Sequence, residues 1–160
     1  MSDKADVEVL QSLLAAMTEV RGAIGDARAL LGDLPQSAEH YGAMDAPRRV
    51  AALALLKSVE QLEDLVARTL RAALVYEQLD LTGLLPRAIA DQAEKSGMIP
   101  SSDRWSDLVR LRNRLVHEYP LPRAQQLARL VLTWHAADDL IAISEGLVAY
   151  LKNLMIEEQP

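Results

Sequence analysis

From Asp45 onward the chain sets Leu55, Val59, Leu62, Val66, Leu70 and Ala73 at three- and four-residue spacing. That spacing lines one side of an α-helix. It cannot line one face of a strand, whose side chains alternate every second residue. Asp45 is a natural N-cap, and Pro47 falls in the first turn, where its missing N–H is no loss. The stripe therefore predicts a long helix from near Asp45 to about Leu79, with an apolar edge that needs partners along its whole length. No sheet is on offer as that partner. Ala, Leu, Arg and Glu dominate the chain, Phe is absent, and β-branched residues never form alternating runs.

The other segments read the same way. A first helix is predicted over Ala5–Leu31, followed by a loop, Asp33–Ala43, that holds Pro35 and Gly42. A shorter helix, Leu84–Ser96, is stopped by Gly97 and the Met98-Ile99-Pro100 turn. Ser101 or Ser102 caps a further helix, which Pro120 and Pro122 terminate. The last helix is predicted over Arg123–Ile156, with Leu127, Leu130, Val131, Trp134, Ala137 and Ile141 facing inward. The expectation is one all-α domain over residues 1–160, an antiparallel helical bundle of four to five helices. An N-terminal helical segment, 1–34, precedes a bundle over 45–156.

Composition removes several chemistries. Cys is absent, which excludes disulfides, thiolate-bound zinc and thiol nucleophiles. His40, His117 and His135 fall on a loop and two different helices, so neither a metal site nor a cofactor is expected. The opening Met-Ser-Asp-Lys-Ala-Asp has no apolar h-region, and no apolar run reaches bilayer length, so a cytoplasmic protein without membrane contact is expected. Net charge is −6, unsuited to a general polyanion binder. Yet between Ser101 and Leu130 stand Arg104, Arg110, Arg112, Arg114, Arg123 and Arg129 against Asp103, Asp107 and Glu118, a local balance of +3. Arg110 and Arg114 are the candidate substrate-binding cations of that patch. A solvated helix face is the alternative.

Within it lies Arg112-Asn113-Arg114-Leu115-Val116-His117-Glu118-Tyr119. At about 100° per residue, Trp105, Leu108, Val109, Leu115 and Val116 fall within about 60° of Arg112, and Tyr119 about 20° away. Asp103, Asp107, Arg110, Arg114 and Glu118 take the opposite side, with Asn113 and His117 stacked on the flank. A cation on an apolar stripe must be paired or face a cleft. Arg112 thus has two readings: an ion-pair partner for Glu60 or Glu63, or an anion-holding group. His117 is either a histidine favoured by the dipole at a helix C-terminus or an acid–base group. Tyr119 fits a core edge with its hydroxyl in water. Taken together, Arg112 and His117 suit RNA strand scission, in which the ribose 2′-hydroxyl is the internal nucleophile. One histidine per chain is thin for both acid and base, and a second protomer would supply the other.

The pattern Arg112-Asn113-x-x-x-His117-x-Tyr119 resembles the signature of the HEPN superfamily, and with Tyr119 its HepT-like toxin branch. The likeness covers the chain from about Asp45. It implies a homodimeric, metal-independent endoribonuclease toxin of a toxin–antitoxin pair, with RNA as substrate. Arg112 would stabilise phosphate, His117 would act as acid–base, and Asn113 would orient His117 or the substrate. The implied partner is a minimal nucleotidyltransferase antitoxin that adenylylates Tyr119. The chain departs from the pattern in Pro120-Leu121-Pro122, where an acidic continuation is expected, and in its longer N-terminal helix. An alternative is a non-catalytic HEPN substrate-binding subunit of a two-component nucleotidyltransferase. A third is a plain helical interaction protein in which Arg112 closes an ion pair.

Overall fold

The apolar stripe after Asp45 is the buried edge of one helix, α3 (Ala46–Tyr76), along which all six of its residues are inside. The computed structural model describes residues 4–117 and 122–157, and the side chains of all of these except 116, 117 and 157. The other helices among them are α1 (Lys4–Leu31), α2 (Ala38–Gly42), α4 (Pro86–Lys95), α5 (Ser102–His117) and α6 (Arg123–Glu157). No strand occurs among the described residues, and the all-α helical bundle read from the sequence is the fold. No described helix is long and apolar enough to cross a membrane.

Helix α1 lies antiparallel along α3, the most extensive pairing in the molecule. Where one ends and the other begins, Arg48 Nε donates to the Leu31 carbonyl at 2.8 Å. Farther along the pair the Thr69 hydroxyl meets Met17 Sδ, midway along α1. Helix α6 completes the seam, antiparallel to α1. Arg28 of α1 stacks over the Trp134 ring, 4.7 Å from its centroid, and pairs with Asp138 at 2.8 Å. The core runs through these three helices: Leu10, Met17, Ile24, Leu55, Leu62, Leu70, Leu140 and Leu147 are fully enclosed. Burial of each such side chain contributes about 1.5–3 kcal/mol. Helix α5 packs across α3 and α6, supported by α4.

Three details differ from the sequence reading. The segment taken as loop contains α2, whose start is capped by Ser37 Oγ accepting the His40 N–H at 3.1 Å. Helix α3 stops at Tyr76, short of Leu79, because Gln78 takes a left-handed conformation (φ 66°). The Leu79 N–H then reaches back to the Leu74 carbonyl and the Gln78 N–H to that of Val75, which closes the helix end. In α6, Leu130 and Ala137 are buried as expected. Leu127, Val131, Trp134 and Ile141 are only partly so, and Ala136, Leu140, Ile143, Leu147 and Leu151 form the inner edge instead. Apolar residues surround most of α6, so its sequence leaves the inward direction open.

Candidate functional site

Helix α5 is anchored firmly at its start. Ser101 Oγ accepts the Arg104 N–H at 3.1 Å, and the Glu94 carboxylate, at the end of α4, accepts the Ser102 N–H at 2.6 Å. Two donors that a helix start leaves without intrahelical partners are thereby satisfied. The same hydrogen bond from Ser102 holds the Glu94 carboxyl below its usual range. Arg87 of α4 pairs with Asp103 at 2.7 Å, and Arg104 pairs with Asp139 of α6. Trp105 and Leu108 are buried beneath.

From that fixed start the helical turn carries Arg112 round to face α3. Its Nε lies 3.4 Å from Glu63 Oε2. The Nε is buried and makes no hydrogen bond, so the pair is held by charge and not by an aligned N–H. Nη1 donates to the Asn113 side-chain oxygen at 3.3 Å. Glu63 is 5% exposed, on the inner edge of α3. Burial pushes its carboxyl above the ordinary range; Arg112 opposes that, while Asp64 and Glu60 add to it. The nearby cation does not fully offset the loss of water.

A cavity of about 30 Å³, room for a water molecule or two, lies where α3, α5 and α6 meet. Its polar lining comes from all three helices: Glu60 and Glu63, then Arg112, then Arg129 and Thr133. The Thr133 hydroxyl is taken up by the Arg129 carbonyl at 2.8 Å. Arg129, like Arg112, buries an Nε that has no hydrogen-bond partner. One buried carboxylate therefore shares a small chamber with two guanidinium groups.

The structure brings Arg112 and Asn113 together and places Glu63 behind them, one of the two carboxylates the sequence offered. Arg110 is on the outer side of α5, paired with Asp107. Arg114 is exposed and makes no ion pair among the described residues. His117 is the last residue of α5; its side chain, and all of Glu118 and Tyr119, lie outside the described residues. His40 and His135 are exposed on α2 and α6. Among the described residues no group of three or more His, Asp or Glu side chains is gathered as a metal ion would need. The sequence reading counted Arg129 in the basic patch but not at the site and did not name Thr133, because only the phase of α6 brings them to this chamber. No protein-family model, curated protein or solved structure matches the chain.

Proposed function

We propose that this chain is a metal-independent endoribonuclease of HEPN type, the toxin of a toxin–antitoxin pair. The observation that supports it best is Glu63, a buried carboxylate set behind Arg112, whose side chain remains 35% exposed. A cation held from behind and open in front is prepared for an anion. In the proposed reaction His117 takes the proton from a ribose 2′-hydroxyl, and that oxygen bonds to the adjacent phosphorus. The bond from phosphorus to the 5′-oxygen breaks, and the leaving oxygen receives a proton, from the His117 of a second protomer in a homodimer. Arg112 stabilises the charge on the phosphoryl oxygens. Adenylylation of Tyr119 by a minimal nucleotidyltransferase would fill the cleft with an anion and silence the enzyme.

The test is cleavage of RNA in the presence of a chelator. His117→Ala or Arg112→Ala is expected to lower the rate by about 10²–10⁴-fold. Full activity in either variant overturns the reading. Intact mass after co-expression with the neighbouring gene product checks for an adenylyl group on Tyr119.

The same ion pair supports a second reading, in which Arg112 is a structural cation that closes a buried carboxylate. Replacing both partners, as Glu63→Leu with Arg112→Met, is expected to leave the fold at least as stable. If that folded double variant has lost an RNA cleavage that the parent performs, the structural reading fails.

A further inference from the structure

We infer that the groove between α5 and α6 receives a single-stranded RNA segment leading to Arg112, with Arg114 and Arg129 as its phosphate-binding cations. The groove holds about 410 Å³, within the usual range for a ligand site. Leu111, Arg114 and Leu115 of α5 form one wall, and Gln125, Arg129 and Leu132 of α6 form the other.

The ion pairs single out this groove within the basic patch. Arg104 is taken by Asp139, Arg110 by Asp107 and Arg112 by Glu63. Arg114, Arg123 and Arg129 make no ion pair among the described residues; Arg123 lies against Gly42 of α2, and the other two border the groove. The buried Nε–H of Arg129 has no hydrogen-bond partner, so no protein acceptor holds that edge of the guanidinium in place. Between the two cations the wall is apolar, and Leu132 stands 47% exposed. Charge for a phosphate beside apolar surface for a base is the pairing a nucleotide strand presents. The groove adjoins the chamber behind it: Leu111, Leu115 and Arg129 border both, and Arg112 lines the chamber. A strand lying in the groove would therefore approach Arg112 from the α6 side. The choice of RNA as the polymer rests on the ribonuclease reading. The presence of an anion-binding groove rests on Arg114 and Arg129.

The test separates binding from cleavage. A fluorescent 2′-O-methyl RNA of about eight nucleotides has no free 2′-hydroxyl, so binding is read by anisotropy while no strand is cut. Binding by the full chain is expected to weaken as salt rises. Arg114→Gln and Arg129→Gln are each expected to weaken it about threefold to tenfold at low salt, and to lower the slope of log affinity against log salt by about 0.7. Arg114 is exposed, so its variant probes the groove without disturbing the core. Arg68→Gln, which removes the same charge from an exposed pair with Asp64 on α3, is expected to change neither quantity. Unchanged affinity and slope in both groove variants overturn the inference. So does a shift in oligomeric state in place of one in affinity, because that assigns the groove to a second copy of the chain. Binding through the groove without cleavage of the unmodified RNA would overturn the ribonuclease reading and leave the groove standing. Cleavage by the parent with both slopes unmoved would do the reverse.

Discussion

Glu63 is a residue whose chemistry its surroundings alter. Its carboxyl ionises less readily in the folded chain than in the unfolded one, chiefly because it is buried. Above the ordinary value of 4.5 the folded chain therefore holds the proton longer. Stability then falls as pH rises from 4.5 through the raised value, and the full penalty is felt above it. Glu63→Gln abolishes this dependence. Its melting temperature is expected to match the parent near pH 4.5 and to equal or exceed it near pH 7, as thermal unfolding at both values would check. A variant less stable than the parent at pH 7 would mean that the ionised pair stabilises the fold. The sequence made half of this legible. It flagged Arg112 as a charge out of place and named Glu63 beside Glu60 as candidate partners, since both lie close to the inner edge of α3. Choosing between them needed the rotation of α5 against α3, which no local pattern encodes.

Two helix ends in this chain close by the same geometry with different residues. Helix α4 ends at Gly97 (φ 80°), where the Met98 N–H reaches the Ala93 carbonyl at 2.9 Å; α3 ends at Gln78 (φ 66°), where Leu79 reaches Leu74 at 3.0 Å. Glycine takes a left-handed backbone freely, whereas a residue with a Cβ does so at a cost of about 1–2 kcal/mol. Gly97→Ala is therefore expected to destabilise the protein by about 1 kcal/mol, although a Cβ there meets nothing within 4 Å. Gln78→Gly is expected to have the opposite sign and a smaller size, because added freedom in the unfolded chain offsets part of the relief. Denaturant midpoints of the two variants measure both effects. The contrast also marks how far elements could be read from sequence. Gly97 announced its helix end, while Gln78 carried no signal and its helix was read a few residues too long. Ser37 could have announced α2, but a single turn has no periodicity to confirm it. Helix α6 was placed correctly along the chain and misjudged in rotation, since an apolar surface on most sides gives no direction.

At the scale of the molecule, α5 is pinned at its start by α4 and α6 and carries the motif residues toward its end. The all-α bundle was legible because stripe, caps and breakers agreed along most of the chain. The groove between α5 and α6 was not, because it belongs to neither helix alone. The proposed reaction needs both an acid and a base, and each chain supplies one histidine in the motif. The active species is expected to be a homodimer, with sedimentation equilibrium returning twice the mass of the chain; an active monomer would exclude the two-protomer cleft. The chamber between α3, α5 and α6 has a consequence for descent as well. Losing Arg112 alone strands a buried carboxylate, and losing Glu63 alone releases the guanidinium from its seat. Loss of Arg112 first passes through a destabilised intermediate, whereas loss of Glu63 first spares the fold and gives up the setting of Arg112. Across lineages that inherit this chamber, residues 63 and 112 should persist together or be exchanged together, a pair bound by history although far apart in the chain.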